Sequence, residues 1–263
     1  MQIYTHTLPG GAQLIGYLRD RTVEMPAFNT RPAILILPGG GYAWCSKREA
    51  DPVAMQFLQA GYNVFTLYYT CRSEETVPAL RWQPLIDAAG AILHIRRNAE
   101  QFGTDPAKIA ICGFSAGGHL ALSAAVLDIP GETAQQRPNA VILGYPVITA
   151  GEFAHRGSFV QLAGSEDAAA QQAFTLEDKV TSDTPPVFVW HTMEDKTVPV
   201  ENTLLLLAAL RRAGVPCEAH LFEKGAHGTS ISTAEVDAAD PHRAHWVALC
   251  LEWLGETFGF KLS

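Results

Sequence analysis

A serine in this chain stands in surroundings that could make it a nucleophile. Residues 113–117 match the pattern G-x-S-x-G, with Ser115 at the centre. The pattern follows the apolar run 109–112 and opens a stretch rich in alanine and leucine. This context predicts a tight strand-to-helix turn that pushes the hydroxyl out above the sheet edge and requires small residues on both sides. The alternative is a glycine-rich turn whose serine only caps the helix.

A serine hydroxyl reacts poorly without a base, and a histidine base needs a carboxylate to orient it. His227 stands late in the chain between small residues, just after a predicted strand that ends at Phe222. Asp195 follows the predicted strand 187–190, where a carboxylate could accept the imidazole Nδ1–H and stabilise imidazolium. Glu194 is the rival for that role.

Acyl transfer also needs donors for the developing oxyanion. A glycine run after the predicted strand 34–37 could aim backbone N–H groups into a site with no Cβ in the way. Gly40 or Gly41 would supply one donor and the Ala116 N–H the other. A phosphate-binding loop is the alternative, but no Lys-Ser/Thr pair follows the glycines.

Two aromatic residues follow the glycine run. Tyr42 and Trp44 are the candidate substrate-binding residues, since they could line an acyl pocket. Packing beneath the segment 151–184 is the other interpretation of their position.

Several histidines have ordinary structural interpretations. His119 is expected to hydrogen-bond within the core, and His191 is more readily structural than catalytic. His242 and His245 lie three apart, but no further ligands can be placed near them. We therefore expect no metal and no cofactor.

Short apolar runs alternate with amphipathic stretches along the chain. Alternation of strand and helix implies a mostly parallel central sheet with helices on both faces, an α/β fold. Residues 3–7 and 12–18 have no helix between them and are predicted as an antiparallel pair at one edge. Arg96 and Arg97 are expected on a solvated helix face. Further strands are predicted over 33–37, 63–69, 109–112, 140–143, 187–190 and 218–222, and helices over 49–60, 84–101, 116–127, 200–213 and 241–258.

The polar stretch 151–184 interrupts this rhythm. It is too short for a second domain, so we expect short helices over the top of the sheet. The prediction is one α/β domain over residues 1–263, with 151–184 as a small cap-like insertion.

Composition excludes several classes of protein. The chain has 263 residues, 48% hydrophobic and 17% charged, and a net charge of −8. It has no basic run, which argues against nucleic-acid and anionic-lipid partners. The five cysteines are scattered without a CxxC pair, which favours a reducing compartment over a disulfide framework. No apolar run approaches a membrane span, and no secretory signal is visible. We expect a cytoplasmic protein.

The whole chain resembles the α/β-hydrolase family. The Ser–Asp–His order is the one expected there. Three segments resemble those of the small esterases described as acetyl-xylan-esterase-like or xylanase-like. They are the glycine run 38–42, the turn around Ser115 at residues 113–120 (GFSAGGHL, the elbow) and the segment 198–202. One departure is Pro38, where the hormone-sensitive-lipase-like branch carries histidine. The xylanase description has no support in the sequence, because no pair of acid and base carboxylates can be placed.

The resemblance implies a serine esterase that removes short acyl groups, with acetylated sugars as the small-molecule partner. Ser115 would attack, His227 would move the proton, and Asp195 would orient the imidazole. An amidase or arylformamidase with the same triad is the first alternative. A non-catalytic binding protein that kept the hydrolase fold is the second.

Overall fold

A mostly parallel sheet runs through the computed structural model, which describes residues 1–72, 79–128 and 134–262. Its strands are β1 (Gln2–Thr7), β2 (Gln13–Leu18), β3 (Arg31–Leu37), β4 (Asn63–Tyr68), β5 (Thr104–Phe114), β6 (Ala140–Gly144), β7 (Val187–Thr192) and β8 (Cys217–Phe222). Its helices are α1 (Asp51–Gln59), α2 (Gln83–Arg97), α3 (Ala99–Phe102), α4 (Ala116–Val126), α5 (Arg156–Ala163), α6 (Ala168–Gln172), α7 (Glu201–Ala213), α8 (Pro241–Ala244) and α9 (Trp246–Phe258).

The strands form one sheet in the order β1-β2-β4-β3-β5-β6-β7-β8. The pairs from β4 to β8 are parallel, and β2 runs antiparallel to both β1 and β4. The predicted α/β fold class and the predicted antiparallel pair at the edge are confirmed. The carboxyl ends of β5, β6, β7 and β8 therefore meet at one edge of the sheet, where α/β proteins bind ligands.

Helices cover both faces of the sheet. Side chains alternate between the two faces along each strand, so one strand contributes to two buried clusters. In β3, Leu35 and Leu37 belong to one buried cluster, whereas Ile34 and Ile36 belong to the other. The first cluster includes apolar residues of α2, α4 and α7. The second includes residues of α1 and α9. Every residue of β3 is buried, which fits the continuous apolar run over residues 33–37.

Two helices predicted as continuous are divided. The predicted helix 84–101 ends at Arg97, where the Asn98 side chain donates to the His94 carbonyl oxygen at 2.8 Å and competes with the helix hydrogen bonds. The predicted helix 241–258 divides at His245, whose N–H donates to the His242 carbonyl oxygen, an i−3 bond typical of a 3₁₀ turn.

The expectation for Arg96 is wrong, although Arg97 is exposed as expected. The Arg96 guanidinium donates to the Asn139 side chain at 2.8 Å and to the Pro106 carbonyl oxygen at 2.8 Å. Arginine presents five donors in a planar fork, so one side chain can join several acceptors. Arg96 thus connects α2 to the beginning of β5 and to the residue before β6.

The segment 151–184 contains two short helices, α5 and α6, as predicted. The treatment of this segment as a cap on a single domain stays a prediction. In the part of the chain that the structure describes, no helix is both long and apolar enough to span a membrane.

Candidate active site

Ser115 lies in the turn between β5 and α4, at the carboxyl end of a central strand. Its φ of 53° is in the left-handed region, which is strained for a residue with a Cβ. A Cβ at Gly113 would lie 2.1 Å from the Gly117 carbonyl oxygen. A Cβ at Gly117 would lie 2.1 Å from the Leu37 carbonyl oxygen. The glycines two positions either side of the serine are therefore required by steric packing.

His227 lies on the loop after β8, and its ring reaches the serine. Its Nε2 is 2.8 Å from Ser115 Oγ, within hydrogen-bond distance. Gly225 and Gly228 beside it have φ values of 138° and 76°, which glycine adopts at little cost. The ring of Tyr145 packs edge-on against the imidazole at a centroid distance of 4.9 Å. The imidazole is thus held between the serine and an aromatic wall.

Asp195 contacts the opposite side of that imidazole. His227 Nδ1 is 2.7 Å from Asp195 Oδ2, and Asp195 Oδ1 accepts from the Thr197 and Val198 N–H groups at 2.9 Å each. Burial alone would raise the pKa of Asp195, but hydrogen bonds from His191 and His227 outweigh it and hold this pKa well below its usual range. The ionised carboxylate can only accept, so it assigns the Nδ1–H tautomer to His227.

His191 lies beneath that carboxylate. Its Nε2 is 3.3 Å from Asp195 Oδ2 and 3.0 Å from the Val198 carbonyl oxygen. Both partners are acceptors only, so Nε2 carries the proton. Nδ1 then accepts from the Thr203 hydroxyl at 2.8 Å. His191 has the structural contacts that we expected of it.

Glu194, the rival carboxylate, points elsewhere. It is exposed, and its Oε2 accepts from the Gly225 N–H at 3.2 Å. It therefore contacts the backbone of the loop that carries His227 (residues 223–240, the histidine loop), while Asp195 contacts the imidazole.

The glycine run lies beside the serine. Gly40 and Gly41 have φ values of 129° and 64°, and a Cβ at Gly40 would lie 2.1 Å from the Trp44 carbonyl oxygen. Within the described residues, the N–H groups of Gly40, Gly41 and Ala116 donate to no other protein group. Three backbone donors near Ser115 are thus free to bind an anionic oxygen.

Hydrogen bonds to the turn at residues 43–46 set the direction of the Gly40 and Gly41 N–H groups. The Gly39 carbonyl accepts from the Ser46 N–H at 2.9 Å, and the Gly40 carbonyl accepts from the Ala43 N–H at 3.0 Å. In a trans peptide the N–H points away from the carbonyl of the same unit. The Gly40 and Gly41 N–H groups therefore point away from that turn.

An open cavity of about 350 Å³ lies over the serine and the histidine. Its walls come from the glycine loop, the residues after it and the segment 151–184; they include Gly40, Gly41, Trp44, Arg48, His155 and Gln161. Trp44 is 63% exposed at the edge of this cavity. A small substrate could reach the serine hydroxyl from this side.

Tyr42 does not line the cavity, so its predicted substrate contact is wrong. It is 1% exposed, and its hydroxyl lies 2.7 Å from His119 Nδ1. His119 Nε2 donates to the Phe174 carbonyl oxygen at 2.7 Å, so Nδ1 accepts from the tyrosine. Burial lowers the pKa of His119 to about 4. Tyr42 and His119 form a neutral buried pair beneath the segment 151–184, the alternative that the sequence left open for Tyr42.

Two residues near the site went unnoticed in the sequence. Tyr145 follows β6, and a polar residue at a strand's carboxyl end was a signal that could have been used. Glu49 is buried against the glycine loop, but its sequence position resembles that of any carboxylate before a helix.

Metal ligation has no candidate in the ranges that the structure covers: no group of three or more His, Cys, Asp or Glu side chains could hold an ion. His245 Nδ1 lies 3.1 Å from the His242 carbonyl oxygen. The absence of a cofactor stays a prediction.

The sheet and the serine elbow define the class as an α/β protein with the architecture of a serine hydrolase. Comparison with family models agrees. The model described as the prolyl oligopeptidase family matches residues 91–260, and the model described as BD-FAE matches residues 23–142. The chain belongs to the α/β-hydrolase family, which confirms the resemblance stated from the sequence.

Known relatives carry esterase and xylanase names. The chain is 39% identical over 235 residues to endo-1,4-beta-xylanase B of Butyrivibrio fibrisolvens, covering 84% of this chain and 35% of the relative. It is 30% identical over 232 residues to an acetylxylan esterase of Xylanibacter ruminicola, covering 85% and 45%. The chain thus spans between a third and a half of the length of these curated relatives.

A solved structure matches over nearly its full length. The acetyl ester-xyloside bifunctional hydrolase of Caldicellulosiruptor lactoaceticus is 34% identical, with a TM-score of 0.81, and the match covers 97% of this chain and 90% of that one.

Proposed function

We propose that this chain is a serine hydrolase of short-chain carboxylic esters, with acetyl groups on sugars as its substrate class. The observation that carries the proposal is the unbroken contact from Asp195 through His227 to Ser115, with separations of 2.7 Å and 2.8 Å. These distances are those of hydrogen bonds through which a proton can move.

In the first half-reaction, Ser115 Oγ attacks the ester carbonyl carbon while its proton moves to His227 Nε2. Asp195 stabilises the imidazolium that forms. The carbonyl oxygen becomes an oxyanion that accepts from the Ala116 N–H and from Gly40 or Gly41. One such donor contributes about 3 kcal/mol of transition-state stabilisation. His227 then gives the proton to the leaving alcohol, and Ser115 is left acylated.

In the second half-reaction, a water molecule takes the place of the alcohol. His227 accepts one proton from the water as its oxygen attacks the acyl carbon. The same backbone donors bind the second oxyanion. Collapse of this intermediate returns the proton to Ser115 Oγ and releases the carboxylic acid. No cofactor takes part.

Ester cleavage suits the cavity better than glycoside cleavage does. Glycosidases use two carboxylates that flank the scissile bond. Among the described residues that line the cavity, Glu49 is the one carboxylate. Both of its oxygens already accept hydrogen bonds from protein donors. The esterase name of the relative from Xylanibacter ruminicola is therefore the better guide to this chain.

The cavity walls support a sugar as the alcohol part. The exposed indole of Trp44 offers a flat apolar face on which a sugar ring can stack. His155 and Gln161 reach the cavity from the segment 151–184. This is the contribution that we propose for this segment as a small cap.

Replacing Ser115 by alanine tests the chemistry. We expect Ser115→Ala to lose hydrolysis of p-nitrophenyl acetate down to the residual that binding and the oxyanion donors leave. A fluorophosphonate probe should label the wild type and leave the variant unlabelled. Undiminished turnover by the variant would exclude Ser115, and a wild type that is neither active nor labelled would favour a binding protein.

A substrate panel tests the specificity. Acetylated xylo-oligosaccharides, an N-formyl aromatic amide and p-nitrophenyl esters from acetyl to decanoyl would be compared by kcat/KM. We expect acetyl esters to lead the series. A maximum at long acyl chains would contradict the short-chain preference, and faster cleavage of the amide would support the arylformamidase alternative.

A further inference from the structure

Glu49 is a buried carboxylate between two loops of the proposed active site. It is 3% exposed. Its Oε2 accepts from the Gly39 N–H at 2.7 Å, and its Oε1 accepts from the Tyr145 hydroxyl at 2.6 Å. Burial raises the pKa of Glu49, and both of these hydrogen bonds oppose that rise because they favour the ionised carboxylate. The proposed mechanism gives this residue no task.

One of these contacts leads to the loop of the oxyanion donors. A Cβ at Gly39 would lie 2.7 Å from Glu49 Oε2 and 3.0 Å from Ser115 Cβ. The backbone of Gly39 is thus in close contact with both the carboxylate and the nucleophile. Because Gly40 follows directly, holding Gly39 restricts the position of the Gly40 N–H.

The other contact leads to the loop of the proposed base. The Tyr145 hydroxyl accepts from the Ser230 N–H at 2.9 Å, and the Tyr145 ring lies against His227. Ser230 Oγ also donates to the Arg48 carbonyl oxygen at 2.6 Å. The histidine loop therefore has two separate hydrogen-bonded connections at Ser230. One runs through the Tyr145 hydroxyl to Glu49, and the other goes directly to the Arg48 carbonyl oxygen.

The direction of the hydrogen bonds makes the carboxylate hard to replace. Tyr145 gives its only proton to Glu49 and accepts from Ser230, so the hydroxyl has one donor and one acceptor partner. An amide at position 49 that kept its oxygen toward Gly39 would turn its NH₂ toward the tyrosine. The hydroxyl would then face two donors and its own proton would have no acceptor.

We propose that Glu49 is a positioning residue. It couples the glycine run 38–42, which carries the oxyanion donors, to the histidine loop through Tyr145. This inference rests on the proposed serine-hydrolase function. Proton transfer and oxyanion binding occur in the same transition state. Both loops must therefore hold their groups in the correct positions at the same moment. Misplacement by a fraction of an ångström lowers the rate of the chemical step more than it lowers substrate binding.

The test compares Glu49→Gln, Tyr145→Phe and the double variant on p-nitrophenyl acetate. We expect each single variant to lower kcat about tenfold or more, as for loss of a hydrogen bond to a charged group, with KM within about twofold. The double variant should lose no more than the more damaged single variant, because both changes break the same coupling. Thermal unfolding would show that each protein is folded at the assay temperature.

A second tyrosine–carboxylate pair serves as the matched control. The Tyr17 hydroxyl donates to Asp51 at 2.7 Å on the exposed surface, outside the cavity lining. Asp51→Asn and Tyr17→Phe should leave kcat and KM unchanged.

Three results would overturn the inference while leaving the esterase proposal intact: wild-type kcat in Glu49→Gln, an effect confined to KM, or losses in the double variant equal to the product of the single losses. If Glu49→Gln fails to fold, Tyr145→Phe, which keeps the ring, decides by the same kcat criterion. A wild type without ester turnover or probe labelling would remove the proposed function and this inference together.

Discussion

At the residue scale, four donors surround the carboxylate of Asp195. Oδ1 accepts from the Thr197 and Val198 N–H groups, and Oδ2 accepts from His191 and His227. The side chain has no solvent exposure. Since every approach to the oxygens is occupied by a proton, a further proton on the carboxylate would break a hydrogen bond. The low pKa of Asp195 is therefore a contribution to stability as well as to the proposed chemistry.

This contribution should depend on pH with a definite sign. In the unfolded chain an aspartate titrates near pH 3.9, and in the fold the Asp195 pKa is lower. Below about pH 4 protons therefore bind the unfolded state first, so the stabilisation is complete above that pH and is lost as the pH falls toward the folded pKa.

We expect wild-type protein to lose more free energy of unfolding than Asp195→Asn between pH 5 and pH 3. Urea denaturation at several pH values in this window measures the difference. Parallel curves for the two proteins would show that Asp195 does not titrate as proposed.

At the element scale, the elbow brings the backbones of two strands and one helix together, namely β3, β5 and α4. Gly117 in α4 lies against the end of β3, because a Cβ there would be 2.1 Å from the Leu37 carbonyl oxygen and 2.5 Å from that of Pro38. The helix can thus begin directly over the sheet and direct its first N–H groups at the site. Both obstructing atoms are backbone, so no side-chain rotation could relieve the contact.

Gly117→Ala should therefore destabilise the fold by about 3 kcal/mol or more, as overpacking against backbone does. Gly90→Ala is the matched control. It lies inside α2, where a Cβ would meet no atom within 4 Å. There alanine should raise the free energy of unfolding by about 1 kcal/mol through helix propensity. Urea denaturation of both variants measures the contrast, and equal effects would mean that the close approach at Gly117 is not rigid.

The regular elements are the part of the fold that the sequence could predict. Strands and helices follow from apolar periodicity, and the glycines of the elbow follow from a steric requirement. The loop after β3 has no such period: Tyr42 and Trp44 are two residues apart, yet Tyr42 is buried and Trp44 is exposed. Tyr42 has a φ of 65°, and nothing in its residue type predicts this angle. Glu49 also escaped prediction, because Tyr145, the partner of its Oε1, lies 96 residues away in the sequence.

At the scale of the whole molecule, Ser115, Asp195 and His227 follow β5, β7 and β8, three strands of one parallel set. Parallel strands bring their carboxyl ends to the same edge, so the Ser–Asp–His order along the chain becomes a short path in space. The serine and the aspartate stand next to regular elements. The histidine lies on a long loop between β8 and α8, so its position depends on what anchors that loop.

Arg243 on α8 is a principal anchor. Its guanidinium is nearly buried and donates to Ser232 at 2.8 Å and Asp240 at 2.9 Å, and it also donates to the carbonyl oxygens of Lys224 and Ala238. A Cβ at Gly225 would lie 2.6 Å from its Nη1, so the arginine lies directly against the loop of the proposed base. One side chain thus holds the loop at both ends.

Arg243→Gln should lower the free energy of unfolding by about 3 kcal/mol, since it leaves the partners of a buried charge unsatisfied. It should also lower kcat on p-nitrophenyl acetate at temperatures where the variant is fully folded, because the loop of His227 loses its attachment. The control is Arg212→Gln on the exposed face of α7, which should change neither quantity. Thermal and urea unfolding, followed by kcat on the folded fraction, separate the two effects. Wild-type kcat in a destabilised but folded Arg243→Gln would mean that the loop keeps His227 in place through Ser230 and Tyr145 alone.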